Sequence, residues 1–176
     1  RYYLIAMTTL LAMVLSACGK GKAAGEQAEI SVAVTRVEGS ARFQHSVEGT
    51  PEDLVAGQFL VEADIVLTGA DGLAVIQLEP GKEVTVGADT VFALSAIRRD
   101  SSGNINIMSL QQGNIITDVE TNLEEGDKYE IHTPRLVMSV RGTSNYLETA
   151  ADQDTLIGIT GETHAYADGR KANVLQ

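Results

Sequence analysis

The chain has 176 residues, 44% of them hydrophobic, with 13 Lys plus Arg against 24 Asp plus Glu for a formal charge of −11. One cysteine builds neither an internal disulfide framework nor a thiolate zinc site, and three scattered histidines are poor material for an imidazole cluster. The negative charge repels phosphate backbones and anionic headgroups, which argues against nucleic acid and polybasic membrane binding, and the length suits one domain.

Residues 2–19 carry no charge, and Leu4 to Ala17 is mostly Leu, Ile, Ala, Met and Val. The run falls short of the roughly 20 apolar residues a spanning helix needs and contains Thr8, Thr9 and Ser16, so it fits a secretory leader better. Leu15-Ser16-Ala17-Cys18 resembles the bacterial lipobox, whose cysteine receives a diacylglycerol thioether and becomes the new amino terminus. The sequence therefore predicts a signal peptide over 1–17, with its charged start clipped ahead of Arg1, and a lipid anchor at Cys18 as the only membrane attachment. Acyl burial stabilises such an anchor by about 0.8 kcal/mol per CH₂. The alternative for Cys18 is a free buried thiol. Residues 18–29 are small, polar and glycine-containing, the composition of a flexible tether. No Asp follows the cysteine directly, which by resemblance to proteobacterial sorting favours the outer membrane, facing the periplasm.

From Ile30 onward the pattern is short β-type alternation punctuated by glycine, so residues 30–176 are read as one domain. Strands are expected at 31–35, 73–78, 83–86, 105–108, 129–132 and 155–159. Turn signals separate them at Glu38-Gly39, Glu48-Gly49-Thr50-Pro51, Ala70-Asp71-Gly72, Pro80-Gly81, Ser101-Ser102-Gly103-Asn104, Gln112-Gly113-Asn114 and Ala167-Asp168-Gly169. Pro51 to Val55 is the one candidate helical turn, capped by Thr50. A parallel α/β sheet is excluded because no crossover helices are available, which leaves an all-β sandwich, barrel or roll. Once Tyr2 and Tyr3 leave with the leader, neither a Trp nor a close aromatic pair remains, and no large aromatic sugar cleft is expected.

In this order come Asp64-Ile65-Val66-Leu67-Thr68-Gly69, Gly72 to Leu78, a Pro80-Gly81 turn, Leu110 to Gly113, His132-Thr133-Pro134, Val140-Arg141-Gly142-Thr143 and Thr160-Gly161. The series resembles the FecR domain, the periplasmic domain of sensors that pass signals from outer-membrane iron transporters to a sigma factor. The resemblance covers roughly Val37 to Tyr166. It rests most on Thr68 and Gly69, on Thr133 and Pro134, and on Arg141, Gly142 and Thr143. It implies an antiparallel, jelly-roll-like sandwich or roll. Asn145 stands where the family usually has an aromatic or bulky residue. A leader and tether precede the domain where the sensors carry a sigma-binding domain and a membrane helix, and no small α/β domain is expected before Gln176.

For Arg141-Gly142-Thr143 the favoured expectation is structural: Gly142 bends a strand, Arg141 pairs with an acid of the same domain and Thr143 bonds the backbone. The functional alternative is a guanidinium fork offered to a partner carboxylate or phosphate. His45, His132 and His164 show no metal-binding spacing, and the acidic run 120–127 lacks the ligand order of a calcium loop. No catalytic motif is present, so neither a catalytic residue, a metal nor a cofactor is expected. The expected function is a non-enzymatic envelope lipoprotein whose domain binds a protein or cell-wall component as a structural or sensory module. The alternative is an accessory regulator in cell-surface signalling of the iron-uptake, sigma-factor type.

Overall fold

Val, Ile and Leu at alternate positions set one side of each strand inward, as Lys82–Val86 shows with Val84 and Val86 fully buried between half-exposed Glu83 and Thr85. The computed structural model describes residues 28–120, 123–161, 163–167 and 170–171, and every regular element among them is a strand. Leu15, Ser16, Ala17 and Cys18 lie outside the described residues.

In chain order the strands begin with β1 (Ala28–Glu29), β2 (Val32–Glu38), β3 (Ala41–Gln44), β4 (Glu52–Asp53), β5 (Phe59–Leu60) and β6 (Ile65–Thr68). The centre of the fold is β7 (Leu73–Glu79), β8 (Lys82–Val86), β9 (Val91–Asp100) and β10 (Gly103–Val119). Then follow β11 (Lys128–His132), β12 (Leu136–Ser139), β13 (Ser144–Thr149), β14 (Asp154–Thr160), β15 (His164–Ala167) and β16 (Arg170–Lys171). One sheet runs β4-β3-β6-β9-β10-β11-β12-β15-β16, with β1 also on β9. The other runs β5-β2-β7-β8-β10-β13-β14. Their inner faces share one core, with Phe92, Leu94, Met108 and Ile131 from the first and Ile76, Val84, Ile115 and Leu147 from the second all fully buried. Each such side chain contributes about 1.5–3 kcal/mol of burial.

The strand β10 belongs to both sheets. Residues 103–112 pair with β9, and residues 113–119 pair with β8 and β13. A register shift at Leu110/Gln112 and a left-handed Gly113 (φ 89) mark the corner. Burial changes parity there: Asn104, Asn106, Met108 and Leu110 point inward before it, Ile115, Thr117 and Val119 after it. Gln112-Gly113-Asn114 is therefore a bend inside a strand, where the sequence pattern suggests a turn between two.

Three other expectations change. Pro51–Val55 contains no helical turn: Glu52 and Asp53 form β4 against β3, and the Leu54 amide donates to the Ala41 carbonyl, which buries the Leu54 side chain. Ala28 and Glu29, expected in the tether, pair with Arg99 and Arg98. Finally, β10 and β11 run parallel in an otherwise antiparallel fold. The crossover that a parallel pair requires is supplied by the second half of β10, which passes through the other sheet before the chain returns.

Candidate functional site

One of the three family motifs secures the corner of β10, and a second lies beside it. The Thr68 hydroxyl donates to the Gly87 carbonyl at 2.5 Å and accepts the Thr90 amide at 2.9 Å, while Thr90 Oγ1 accepts the Asn114 amide at 3.0 Å. Two threonines thus relay from the end of β6 to the bend. The Gly69 amide donates to the Ser40 carbonyl at 2.8 Å, and a Cβ on Gly69 would stand 3.1 Å from Ser40 Cβ. On the far side of the corner, Thr133 closes the β11–β12 turn by accepting the Leu136 amide at 2.9 Å. Its hydroxyl donates to Asp154 at 2.5 Å, beside exposed Pro134. Arg135, which the sequence does not single out, joins the same carboxylate at 2.8 Å and donates to the Ala150 and Ala151 carbonyls.

The third motif lies at the other end of β10's second half, where the Val119 amide donates to the Thr143 carbonyl at 3.1 Å. Gly142 is left-handed (φ 66), so it bends the chain into β13. Thr143 is buried and accepts Asn145 Nδ2 at 2.8 Å, and the Thr163 hydroxyl donates to Asn145 Oδ1. Asn145 thus replaces apolar packing with a buried polar triad. Arg141 is exposed, and among the described residues it forms neither a hydrogen bond nor an ion pair. The internal partner expected for it is absent among the described residues, and two of the acids near it are engaged elsewhere. Glu130 faces Lys128 at 3.3 Å and His132 at 3.0 Å. Asp127 accepts the Asn104 amide at 2.8 Å and the Glu124 amide at 3.2 Å.

Arg141 lines a groove of about 410 Å³ whose other walls are residues 123–130, Ser139 and Val140. Exposed Glu124 and Glu125 stand on its rim. Burial pushes the Asp127 carboxyl up, but the two amides and the Lys82 ammonium 3.7 Å away together bring it below its ordinary value. Burial likewise raises Glu130, and bonds from His132 and Lys128 outweigh it. Both groups are therefore ionised under ordinary conditions.

Behind the groove is a polar cluster that hydrophobic patterning points away from. Asn104 and Asn106 face inward while Ile105 and Ile107 are half-exposed, because Glu79 accepts Asn106 Nδ2 at 2.9 Å and Asn104 Nδ2 at 3.2 Å. Lys82, 5% exposed, places its ammonium 2.8 Å from Glu79 and so compensates the charge. The Tyr129 hydroxyl is fully buried and has no hydrogen-bond partner among the described residues. Burial first, then the Glu79 and Asp118 carboxylates, push its phenol up, so it stays protonated. The cluster holds charge in place; a reactive nucleophile with an adjacent base is not assembled there.

His45 reaches the buried Asp64 carboxylate at 2.7 Å, and His132 reaches Glu130. His164 lies on β15. Among the described residues no group of three or more His, Cys, Asp or Glu is placed to hold a metal ion.

The family model described as "FecR protein" matches residues 64–161, from the buried Asp64 to the turn after β14. No curated protein matches. Among solved structures, a provisionally assigned anti-sigma factor from Parabacteroides distasonis is similar over 62% of this chain and 49% of its own, at 16% identity and a TM-score of 0.47. The chain thus spans about half the length of that protein.

Proposed function

The chain belongs to the FecR family, and from that premise we propose that it is a non-enzymatic binding module of the bacterial cell envelope. Cys18 carries its lipid anchor, and the domain faces the periplasm from the outer membrane. The partner is an envelope protein or a cell-wall component. One observation carries this reading: Arg141 is an exposed guanidinium without a partner among the described residues, on a groove whose inner carboxylates are already engaged. A free fork of this kind accepts a carboxylate or phosphate in bidentate geometry, while Glu124 and Glu125 on the rim favour basic groups beside that anion. Affinity capture from cross-linked envelopes, with the full chain and with Arg141→Ala as baits, tests it. Partners retained by the first and lost by the second, at unchanged melting temperature, support the groove; equal capture rules it out.

Family membership favours a second reading, an accessory regulator in cell-surface signalling. A change in sigma-factor-dependent transcription on deletion of the protein, restored by the wild-type chain and not by Arg141→Ala, distinguishes regulation from a purely structural attachment. The anchor has its own test, since Cys18→Ser abolishes incorporation of labelled fatty acid.

A further inference from the structure

The second sheet turns one face to the core and the other to solvent, yet an apolar row crosses the solvent face. Cross-strand register aligns Val75, Thr85, Ile116, Tyr146 and Ile157 over β7, β8, β10, β13 and β14, Val75 being buried and the exposed apolar part of the row running from Ile116 to Ile157. Ile116 is 42% exposed, Ile157 36%, and Ile159 beyond it 54%. The two neighbouring rows are acidic. One holds Glu83 and Asp118 with Ser144 and Thr160, and the other holds Asn114, Glu148 and Thr155. None of these three carboxylates has an ion-pair partner among the described residues; Asp118 accepts the Ser144 hydroxyl at 2.6 Å and Glu148 the Tyr146 hydroxyl at 3.2 Å.

The row ends at β14, which pairs with β13 on one side and, among the described residues, with nothing on the other. Unpaired strand edges are usually guarded by Lys, Pro or a covering segment. Across Asp154–Thr160 the sequence offers neither Lys, Arg nor Pro. Two copies meeting through this edge would set like charges on a continuous face, since each brings Glu148 and Asp118 and no compensating cation. A basic strand meets the opposite situation.

We infer that β14 is a docking edge for an extended segment of a partner protein, added as a further strand, whose outward side chains read basic, apolar, basic at alternate positions. The central apolar residue continues the row beyond Ile157. The two basic residues, two positions to either side, fall in line with the rows of Asp118 and Glu148. With neighbouring strands about 4.8 Å apart, Glu148 two strands away is within reach of a long side chain, while Asp118, three strands away, contributes only to the negative potential of the face. Main-chain hydrogen bonds supply affinity and the alternate side chains supply selectivity. The residues of β14 are not among those that line the Arg141 groove.

The test uses the purified full-length chain in mild detergent and a blocked heptapeptide with Lys at its second and sixth positions, Val at its fourth and Thr elsewhere. The expected result is saturable, salt-weakened binding that slows hydrogen exchange of the amides between Asp154 and Thr160. Replacing both peptide lysines by Glu weakens binding at least tenfold, as does Ile157→Lys in the protein at unchanged melting temperature. Arg141→Ala leaves the peptide affinity within about twofold, so failure of the groove reading and failure of this one are told apart. No binding at millimolar peptide, equal binding of the acidic peptide, or protection outside β14 overturns the inference. So does concentration-dependent dimerisation that protects β14 without peptide, since the occupant is then a second copy.

Discussion

Arg135 holds Asp154 across 2.8 Å, clamping the β11–β12 turn to the start of β14. The carboxylate is 3% exposed and the guanidinium side chain 35%, so the arginine neutralises a charge that water cannot reach. Replacing it leaves the carboxylate with only the Thr133 hydroxyl as partner. Arg135→Ala is expected to destabilise by about 1–3 kcal/mol, the usual cost of stranding a buried hydrogen-bonded group, reduced for the arginine's partial exposure. The double variant Arg135→Ala/Asp154→Ala is expected to cost less than the two single losses added, because both partners of the pair are then gone. A urea-unfolding double-mutant cycle measures the coupling, and additive losses would remove the clamp from the account.

Asn145 has a comparable position inside the second sheet. It is fully buried and satisfied on both sides by Thr143 and Thr163. Asn145→Ala strands two threonine hydroxyls and leaves a small cavity, for an expected loss of about 2–4 kcal/mol. Asn145→Asp adds an uncompensated buried charge and is expected to be worse than Ala at neutral pH, improving as the solution is acidified. Melting curves of the two variants at neutral and acidic pH decide this.

The groove predicts a direction for acid sensitivity. The Asp127 and Glu130 carboxyls lie below their ordinary values in the folded chain. Each therefore contributes stability that is fully present above the ordinary carboxylate range of about pH 4 and is lost as pH falls through the lower folded value. Urea midpoints should drop steeply below about pH 4. Asp127→Asn should lower stability near neutrality and flatten that acid limb, because the bonds from the Asn104 and Glu124 amides no longer depend on a titrating group. An unaltered acid limb in this variant would locate the sensitivity elsewhere.

Much of the fold is legible because burial alternates with sequence. Val84 and Val86, or Tyr129 and Ile131, announce their strands and their inward faces. The same logic reverses at Asn104 and Asn106, where the apolar neighbours Ile105 and Ile107 suggest the opposite face. The facing carboxylate of Glu79 decides the matter from 25 and 27 residues away, and alternation cannot register so distant a partner. Arg135 is silent for a related reason, since its carboxylate is 19 residues off and on another strand. For the site, the Arg-Gly-Thr motif points to Arg141, but whether that residue is paired depends on which acids its neighbours engage. The apolar row on the second sheet is invisible until the register aligns five strands.

Gly113 shows how a local signal can be recognised and its consequence still missed. A glycine after two glutamines marks a place where the backbone departs from ordinary values, and both a turn and a bend in a continuous strand use one. Here the left-handed φ of 89 shifts burial parity and carries β10 from one sheet into the other. A Cβ at this position would stand 2.2 Å from Thr90 Oγ1 and 2.6 Å from Thr90 Cα. The first of these atoms is the acceptor for the Asn114 amide, so it cannot withdraw without breaking the relay that begins at Thr68. Gly113→Ala thus combines backbone strain with steric conflict and is expected to destabilise by about 2–4 kcal/mol. Thr90→Ala removes the hydroxyl but not the Cα, so the double variant should recover only part of the loss. Full recovery would show that the bend tolerates an alanine backbone and that the hydroxyl alone sets the requirement for glycine.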